Sequence, residues 1–306
     1  MPGISYPEYM PQTVEQALGL IRENRPESID RALALLQNTV YSFSMKVCGH
    51  PQDAEDTMQE VLLKSLPYLP KFESSQALSV WLYKVARNRC LSKRRGQKNA
   101  VHKHLSLDEL MPDGRELREL VESKELSPET RVLRGESEQS LRKAILKVPP
   151  QYRFVLVLHD MEGLSTGEVA RVIGLREGTV RVRLHRARLL VRQHLARMAK
   201  AGRLMPGVHA AAATTPKRSR RCRQMFAALS DYMDGLVEDL NCKEIEKHLH
   251  ECQPCVAFLD SLKSAVERCR SYHPHCDAQR ATELREELLR RYHAAVAALP
   301  RQRARA

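Results

Sequence analysis

Residues 164–188 carry the pattern of a helix-turn-helix, in which a tight turn joins two short helices, and no other stretch constrains the fold as strongly. Ser165 and Glu168 have the spacing of a capping box, which predicts that the first helix begins there. The apolar face of this helix would consist of Val169, Ala170 and Ile173. Gly174 permits the sharp turn, and Leu175 can fill the corner between the two helices.

The second helix of this pattern has an apolar side and a basic side. Its apolar residues recur at positions i, i+4, i+7 and i+11, namely Val180, Leu184, Ala187 and Val191. The helical periodicity predicts which side chains point away from this apolar side: Gly178, Thr179, Val182, His185 and Arg186, with Arg181 and Arg183 on the flanks. A helix with small residues at its start and arginines around its exposed side fits the major groove of duplex DNA. We therefore predict DNA recognition, with a solvated basic helix in an ordinary bundle as the alternative.

The composition of the 306 residues favours an all-α protein with a polyanionic partner. Aromatic residues make up only 5 % of the chain, runs of β-branched residues are nearly absent, and Leu, Ala, Arg and Glu dominate. A chain of this length is expected to hold two or three compact domains. The formal net charge is +13 and the isoelectric point is near 9.5, which indicate nucleic acid as a partner before a membrane surface.

The sequence also predicts a cytoplasmic protein. No apolar run reaches the roughly 18 residues that a membrane span needs, and the N-terminus lacks the basic and apolar regions of a secretory signal.

Cys48 and Cys90 are isolated among apolar neighbours and are interpreted as small core residues. The other cysteines crowd into the last third of the chain: Cys222, Cys242, Cys252, Cys255, Cys269 and Cys276. In a reducing compartment this clustering indicates a metal site rather than a disulfide framework.

Three amphipathic patterns predict helices in the first third of the chain, after a short lead helix over 11–24. The first pattern runs over 28–48 and the second over 53–69, where Pro67 and Pro70 convert the end of the helix into a loop. The second pattern begins with an acidic turn that contains Asp53, Glu55 and Asp56. Acidic side chains suit the positive end of the helix dipole, so this turn alone does not require a function.

The third of these helices is predicted to start near Ala77 and to have one apolar and one basic side. Its apolar residues are Leu78, Trp81, Leu82 and Val85. We interpret Trp81 as a core residue, with a base-stacking platform as the alternative. The basic side carries Lys84, Arg87 and Asn88, followed by Lys93, Arg94 and Arg95. The preceding loop supplies Tyr68, Phe72, Ser74, Ser75 and Gln76. Aromatic and amide side chains beside a basic helix are the groups that hold single-stranded bases.

Three sequence blocks, taken in order, resemble a known family. They are DAEDTMQE from position 53, WLYKVARN from position 81 and VPPQYRFVLVLHDMEGLSTGEVARVIGLREGTVRVRLHRAR from position 148. They are similar to the two core regions of sigma-70-family factors of the short ECF type, with region 2 over 28–97 and region 4 over 138–198. The charged segment 98–137 would be a flexible linker that lets the two helical domains reach separate promoter elements.

The resemblance implies which side chains contact the polymerase and the promoter. The 53–66 helix would dock on the clamp of RNA polymerase through Asp53, Glu55, Asp56, Gln59 and Glu60. The −10 promoter element would be opened and held by Tyr68, Phe72, Ser75, Gln76, Lys84, Arg87 and Asn88. The −35 element would be read through Arg176, Gly178, Thr179, Arg181, Val182, Arg183, His185 and Arg186. Two of these positions depart from the family: Arg176 replaces a usual capping Ser, and Val182 replaces a polar residue and can meet a thymine methyl group.

The cysteine-rich end is predicted to bind a structural zinc ion. His248 and Cys252 are one helical turn apart and leave the same face of a helix, and Cys255 follows across a C-x-x-C turn. Cys222 can return on another helix to complete a closed tetrahedral set of three cysteines and one histidine. The alternatives are an ordinary surface role for His248 and a thioredoxin-like redox role for the C-x-x-C, around which no βαβ pattern is found.

Residues 221–275 are similar to the zinc-binding anti-sigma domain, including YMDG at 232–235 and HLHEC at 248–252. Such domains usually reside on a separate protein that masks a sigma factor, whereas here the domain follows region 4 after a second linker over 199–220. The resemblance implies regulation in cis, with the domain folded against region 2 or region 4. The tail over 276–306 contains one more amphipathic helix, which we predict to pack on the zinc domain or on region 4. Because thiolates are oxidisable, redox or zinc sensing is a further hypothesis.

The sequence therefore predicts a sigma factor that is not an enzyme. Its partners would be core RNA polymerase and promoter DNA, and its cofactor one structural zinc ion per chain. The first alternative is a polymerase-independent helix-turn-helix regulator with a zinc- or redox-sensing domain, which would have no need of the acidic 53–66 helix. The second is a zinc- or thiol-dependent enzyme, which no catalytic triad, phosphate loop or open metal site supports.

Overall fold

A computed structural model of the protein describes residues 9–23, 25–94, 110, 116, 138–201 and 220–298. Within these residues the regular structure is entirely helical, which confirms the predicted fold class, and twelve α-helices are described. The two predicted linkers lie mostly outside the described residues. None of the described helices is both long enough and apolar enough to span a membrane.

The described residues divide into two compact units. The first contains residues 9–94 together with 168–174 and 273–298. The second contains 110, 116, 138–167, 175–201 and 220–272. Each unit has its own buried core of aliphatic and aromatic side chains.

The first unit begins with four helices: α1 (Tyr9–Arg22), α2 (Pro26–Cys48), α3 (Pro51–Ser65) and α4 (Ser75–Arg94). Because α1, α3 and α4 all pack against α2, α2 is buried on several sides and not only on the single stripe that its sequence predicts. The helix ends at Gly49, whose φ of 80° is accessible to glycine at little cost. Pro51 then starts α3, where its fixed φ suits the first helical position.

The helix α4 differs from its prediction at Trp81. Its buried side consists of Leu78, Leu82, Tyr83, Ala86 and Cys90. Trp81 is only half-buried, and its ring lies against the rings of Tyr68 and Phe72, with centroids 6.3 Å and 5.9 Å away. The prediction that Trp81 belongs to the core is therefore wrong. Periodicity places Trp81 near the buried side, but Tyr83 is the buried aromatic residue of α4 and packs against Phe43, with ring centroids 4.9 Å apart and ring planes tilted by 56°.

Cys48 and Cys90 also differ from their prediction as isolated core residues. The structure joins them by a disulfide between the end of α2 and α4, with Cα atoms 6.2 Å apart. Cys90 is buried and Cys48 is half-buried. They are 42 positions apart in the sequence, so their proximity arises only when α2 packs on α4.

The second unit is built around one long helix. Its helices are α5 (Glu138–Lys147), α6 (Pro150–Leu156), α8 (Glu177–Ala201), α9 (Arg220–Met233), α10 (Asp239–Glu251) and α11 (Gln253–Arg270). The helix α6 continues into one π-helical turn, Val157–Met161. The long helix α8 contacts α5, α6, α9 and α11. Region 4 and the cysteine-rich segment therefore share one core.

The predicted helix-turn-helix is present as α7 (Thr166–Ile173) and α8. Gly174 has a φ of 75°, which is the left-handed turn that the sequence predicts. The Thr166 hydroxyl donates a hydrogen bond to the Glu177 carboxylate over 2.5 Å and so ties the start of α7 to the start of α8. At the start of α8 the Arg176 carbonyl accepts hydrogen bonds from the backbone N–H groups of Thr179 and Val180.

The last helix, α12 (Ala278–Ala298), belongs to the first unit and packs on α2 and α3. The prediction that it packs on the zinc domain or on region 4 is therefore wrong. An amphipathic pattern shows that one face of a helix is buried, but it carries no information about what covers that face.

Candidate functional site

The first turns of α8 expose the side that the sequence predicts for DNA recognition. The buried stripe is confirmed, since Val180, Leu184, Ala187 and Val191 are all at most 1 % exposed. On the other side Arg176, Gly178, Thr179 and Val182 are exposed, and Arg181, Arg183 and Arg186 are half-exposed. The hydrogen bond from Thr166, followed by that from Arg181, holds the pKa of Glu177 below its usual value, so that a carboxylate stands at the positive end of α8.

His185 is the exception among the predicted outward residues, because it is buried. The helix α9 covers it: Nδ1 of His185 lies 2.9 Å from the Ser230 hydroxyl, and its ring makes an edge contact with Phe226 at 5.6 Å. Burial, followed by the charges of Arg188 and Arg186, lowers the pKa of His185 to about 4. The helical periodicity that predicted an outward side chain is correct for α8 alone, but it takes no account of the cysteine-rich segment.

A buried ionic network links α8 to the same segment. The guanidinium of Arg188, which is 0 % exposed, donates to the Asp160 carboxylate over 2.5 Å and 2.8 Å and to the Asp234 carboxylate over 2.7 Å and 3.0 Å. His159 Nε2 lies 3.5 Å from Asp234. Burial alone would raise the pKa of Asp234, but the hydrogen bond from His159 and the charge of Arg188 outweigh burial and hold that pKa well below its usual range.

Two further interactions extend this interface along α8, one electrostatic and one by direct contact. Burial raises the pKa of Asp231 on α9, and the positive charge of Arg181 opposes that rise. One turn beyond Arg188, Arg192 donates to the Ser261 hydroxyl over 2.7 Å, and its guanidinium lies 4.2 Å from the centre of the Phe258 ring. Carboxylate, hydroxyl and aromatic groups of α9 and α11 therefore engage arginines along α8.

In the first unit, α3 carries the predicted polymerase-binding side chains. Asp56 is exposed, and Asp53, Glu55, Gln59 and Glu60 are half-exposed. Glu60 pairs with Lys64 at 2.7 Å and with Arg89 at 2.5 Å, and Glu55 pairs with Arg280 of α12 at 3.0 Å.

The loop before α4 and the outer side of α4 carry the residues predicted for the −10 element. Tyr68, Gln76, Lys84 and Asn88 are exposed, while Phe72, Ser75 and Arg87 are half-exposed. Tyr68 is 51 % exposed, and the Lys71 ammonium lies 5.7 Å from the centre of its ring. Together with Trp81, these rings form an aromatic surface beside the basic side of α4, which has the chemistry to stack and hold unpaired bases.

The structure brings the four predicted metal ligands together. The Sγ atoms of Cys222, Cys252 and Cys255 and a ring nitrogen of His248 all lie within 4.8 Å of one another. His248 Nε2 is 3.7 Å from Cys222 Sγ and 3.3 Å from Cys255 Sγ. Ligands of a tetrahedral zinc ion with bonds of about 2.3 Å stand roughly 3.8 Å apart, so this set can close around zinc with small adjustments.

The electrostatics of this cluster also fit a cation. Burial, followed by the neighbouring thiols of Cys252 and Cys222, raises the pKa of the Cys255 thiol. Burial, followed by Arg221, lowers the pKa of His248 and favours the neutral imidazole that binds metal. Several thiolates in this space require a compensating positive charge, which a divalent metal ion would supply.

Comparison with known proteins assigns these units to families. Family models match three parts of the chain: "Sigma-70 region 2" over residues 33–100, "Sigma-70, region 4" over 138–191 and "Putative zinc-finger" over 222–255. The chain belongs to the sigma-70 family. In this sigma-70 protein, region 2 corresponds to α2–α4, region 4 to α5–α8, and the zinc-finger match to α9, α10 and the start of α11.

Similar proteins bear names of the same family. The ECF RNA polymerase sigma factor SigW of Bacillus subtilis is 24 % identical over 186 residues, which cover 61 % of this chain and 98 % of that one. SigE of Mycolicibacterium smegmatis, also named an ECF sigma factor, is 29 % identical over 160 residues, or 52 % of this chain and 58 % of that one. The RNA polymerase sigma-H factor of Pseudomonas aeruginosa is 27 % identical over 176 residues, or 57 % and 89 %.

Sequence reasoning missed the residues that join region 4 to the zinc-finger segment. Arg188, Asp160 and Ser230 carry no local signal, because nothing in an isolated helix distinguishes a buried arginine from a surface one. Asp234 lies in the YMDG motif, where Gly235 adopts a φ of 68°. That motif was a signal for a fixed carboxylate after α9, but its partner Arg188 is 46 residues earlier in the chain.

Proposed function

We propose that this protein is an ECF-type sigma factor that binds core RNA polymerase, directs it to specific promoters and initiates transcription. The observation that carries the proposal is the presence of regions 2 and 4 in one chain, in that order. A polymerase-independent regulator would use the helix-turn-helix without region 2, so the region 2 match disfavours that alternative. The proposed activity would be carried out in the cytoplasm and involves no catalysis by the protein itself.

Region 2 supplies two surfaces for this function. Five side chains of α3 are proposed to bind the polymerase clamp, and these are the exposed Asp56 and the half-exposed Asp53, Glu55, Gln59 and Glu60. The aromatic surface around Tyr68 and the cations Lys84 and Arg87 are proposed to hold the melted −10 strand. Stacking on aromatic rings is worth about 1–3 kcal/mol per base, while the cations neutralise phosphates.

Region 4 supplies the duplex-reading helix. We propose that the first turns of α8 enter the major groove of the −35 element, with Gly178 and Thr179 allowing close approach. Arg176, Arg181 and Arg183 would contact phosphates or guanines, and Val182 would contact a thymine methyl group. His185 can join this set only when α9 leaves α8, because a side chain covered by another helix cannot reach a base edge.

The Cys/His cluster is proposed to hold one structural zinc ion through Cys222, His248, Cys252 and Cys255. The four ligands leave no open position for substrate, so the ion would act as a cross-link between the starts of α9 and α11 and the end of α10. With this cross-link in place, α9 and α11 can present Asp234, Ser230 and Phe258 to α8 as one surface.

The contacts between that surface and α8 support regulation in cis. Here α9 covers His185, the charge of Arg181 acts on Asp231, and Asp234 accepts hydrogen bonds from Arg188. Carboxylates placed on the arginines of a DNA-binding helix compete with phosphates for the same cations. We infer that the zinc-binding domain restrains promoter recognition until it is displaced from α8.

The proposal is tested by separating polymerase binding from promoter opening. Full-length protein should co-elute with core RNA polymerase in gel filtration, and the complex should make promoter thymines reactive to permanganate. Asp56→Lys should weaken co-elution, because it reverses an exposed charge on α3. Lys84→Glu with Arg87→Glu should leave co-elution unchanged and abolish permanganate reactivity. A full-length chain that does not bind the polymerase would refute the proposal.

A further inference from the structure

The disulfide between Cys48 and Cys90 joins two helices of region 2 at the point where α2 ends. Cys48 is the last residue of α2, and Cys90 is on the buried side of α4 with only 2 % of its surface exposed. Their Cα atoms are 6.2 Å apart, a distance that a disulfide spans without movement of the backbone. Because α2 and α4 also pack on each other, as at Phe43 and Tyr83, the two thiols should stay neighbours after the bond is reduced.

The two sulfur atoms of this bond differ in their access to solvent. Cys48 is half-buried, so a small thiol or a small disulfide can reach its sulfur, whereas Cys90 is enclosed. Thiol–disulfide exchange needs access to only one sulfur of a pair. Cys48 is therefore the sulfur that exchanges with solutes, and Cys90 is the thiol that closes the bond. In a reducing compartment, disulfides that exchange in this way are typically transient and sense the redox state.

We propose that Cys48 and Cys90 form a reversible redox site that cross-links region 2 when the small thiols of the compartment become oxidised. The site is separate from the zinc ligands, because it lies in the first unit and the Cys/His cluster lies in the second. The oxidant is a low-molecular-weight disulfide, of which oxidised glutathione is the example used below.

The reaction takes place in two exchange steps. The Cys48 thiolate attacks one sulfur of the small disulfide, which forms a mixed disulfide and releases one small thiol. The Cys90 thiolate then attacks the Cys48 sulfur and releases the second small thiol. The two cysteines lose two electrons and two protons in total, and both leave on the two small thiols. Excess small thiol reverses the same two steps.

The cross-link acts on the helix that carries part of the proposed −10 surface. Arg87 and Asn88 precede Cys90 by three and two positions, so these residues lie within about one turn of α4. The neighbouring Arg89 pairs with Glu60 of α3 at 2.5 Å, an ion pair that is partly exposed to water. A covalent bond at Cys90 restrains this turn more firmly than that ion pair and covers neither Arg87 nor Asn88. This consequence rests on the proposed function, whereas the redox site itself does not.

The effect of the bond on stability can be measured in the full-length chain. A cross-link between residues that are 42 positions apart removes conformational entropy from the unfolded state. We expect it to raise the urea midpoint of region 2 by at least about 1 M. Trp81 is the single tryptophan of the chain and lies in α4, so its fluorescence reports the unfolding of region 2 in the presence of the other domains.

The experiment equilibrates the full-length chain with mixtures of reduced and oxidised glutathione. Alkylation of free thiols followed by peptide mass spectrometry measures the fraction of chains that contain the bond. Cys48→Ser and Cys90→Ala each remove the bond. Cys276→Ser is the matched control, because Cys276 is a free cysteine of the same unit.

We expect the bond to form in the unaltered chain and in Cys276→Ser as the oxidised fraction rises, and to disappear when reduced glutathione is restored. Its formation should raise the urea midpoint and slow amide hydrogen exchange over 86–92. Cys48→Ser and Cys90→Ala should show neither change. A bond that forms at no glutathione ratio, that excess reduced glutathione does not remove, or that leaves the midpoint unchanged would overturn the inference.

A second measurement connects the site to promoter opening by the complex with core polymerase. The oxidised chain should keep promoter thymines reactive to permanganate at temperatures at which the reduced chain no longer does. Cys48→Ser should behave as the reduced chain in both buffers, which controls for any effect of glutathione on the polymerase. Equal temperature dependence of the oxidised and reduced chains would overturn the action on α4 and leave the sigma function intact. If no form opens a promoter, the proposed function fails, and the thiol and fluorescence measurements still decide the redox site.

Discussion

Val180 and Val182 are two residues apart in α8 and lie on opposite sides of it. Val180 is 0 % exposed and packs in the core of the second unit, whereas Val182 is 51 % exposed on the side proposed to face DNA. The same residue type therefore serves two roles, one in stability and one in promoter choice. The pair offers a test in which the chemical change is identical and only the position differs.

We expect Val180→Ala to lower the free energy of unfolding by about 2 kcal/mol, because it leaves a cavity. Val182→Ala should change that quantity by less than about 0.5 kcal/mol. It should instead reduce discrimination at one −35 position roughly fivefold, since a methyl contact with thymine is lost. Urea unfolding and transcription from a library of −35 sequences measure the two effects. Unchanged −35 preference in Val182→Ala would show that this side of α8 does not read DNA.

His185 and His194 provide a second matched pair in α8, with different neighbouring charges. Both have a pKa of about 4: burial and the charges of Arg188 and Arg186 lower that of His185, and burial, Arg197 and Lys147 lower that of His194. His185 is covered by α9 through Ser230 and Phe226. The charges that lower the pKa of His194 lie within region 4.

We therefore predict that removing residues 220–306 raises the pKa of His185 from about 4 toward 6.5, whereas Arg197 and Lys147 remain to hold the pKa of His194 low. The docked state holds the pKa of His185 below its undocked value, so docking of α9 is strongest above pH 6.5. It weakens as the pH falls toward 4, by up to about 3 kcal/mol in total. Histidine ring resonances followed by NMR between pH 4 and 8 measure both values. A His185 that titrates identically in both proteins would contradict the contact with α9.

At the scale of elements, the Cys/His cluster joins the starts of α9 and α11 to the end of α10. We predict that Cys255→Ser reduces bound zinc from one ion per chain to a small fraction and loosens these helices, since a structural site rarely survives loss of a ligand. Cys242→Ser is the control, because its thiol lies 4.0 Å from Glu246 and outside the ligand set. Elemental analysis and limited proteolysis of the purified variants provide the measurements. Equal zinc content in both variants would refute the assigned ligands.

Elements and motifs were predictable from the sequence where local chemistry decides them. The turn at Gly174, the buried stripe of α8 and the H-x3-C-x2-C arrangement with Cys222 all follow from spacing and backbone conformation. The partner of an amphipathic helix is decided by tertiary packing, which is why the position of α12 was predicted wrongly. The same limit explains why the burial of His185 and the Cys48–Cys90 disulfide were not predicted, since each depends on an element that is distant in sequence.

At the scale of the whole molecule, the C-terminal segment contacts both proposed functional regions, each within its own unit. In the second unit, Arg188 on α8 is held by Asp160 of region 4 and by Asp234 of the C-terminal segment. In the first unit, α12 occupies part of the surface of α2 and α3. A segment that engages the proposed DNA-reading helix and the proposed polymerase-binding helix can restrain both steps of initiation.

The most direct measurement is in vitro transcription of genomic DNA by core RNA polymerase, with the 5′ ends of the transcripts mapped. Reactions contain no added factor, the full-length chain, or a chain that ends at residue 219. We expect both proteins to create the same new set of start sites, with preceding −35 and −10 elements in common, and the shorter chain to produce more transcript from each. Absence of new start sites with both proteins would contradict the sigma function, and equal yields would contradict restraint by the C-terminal segment.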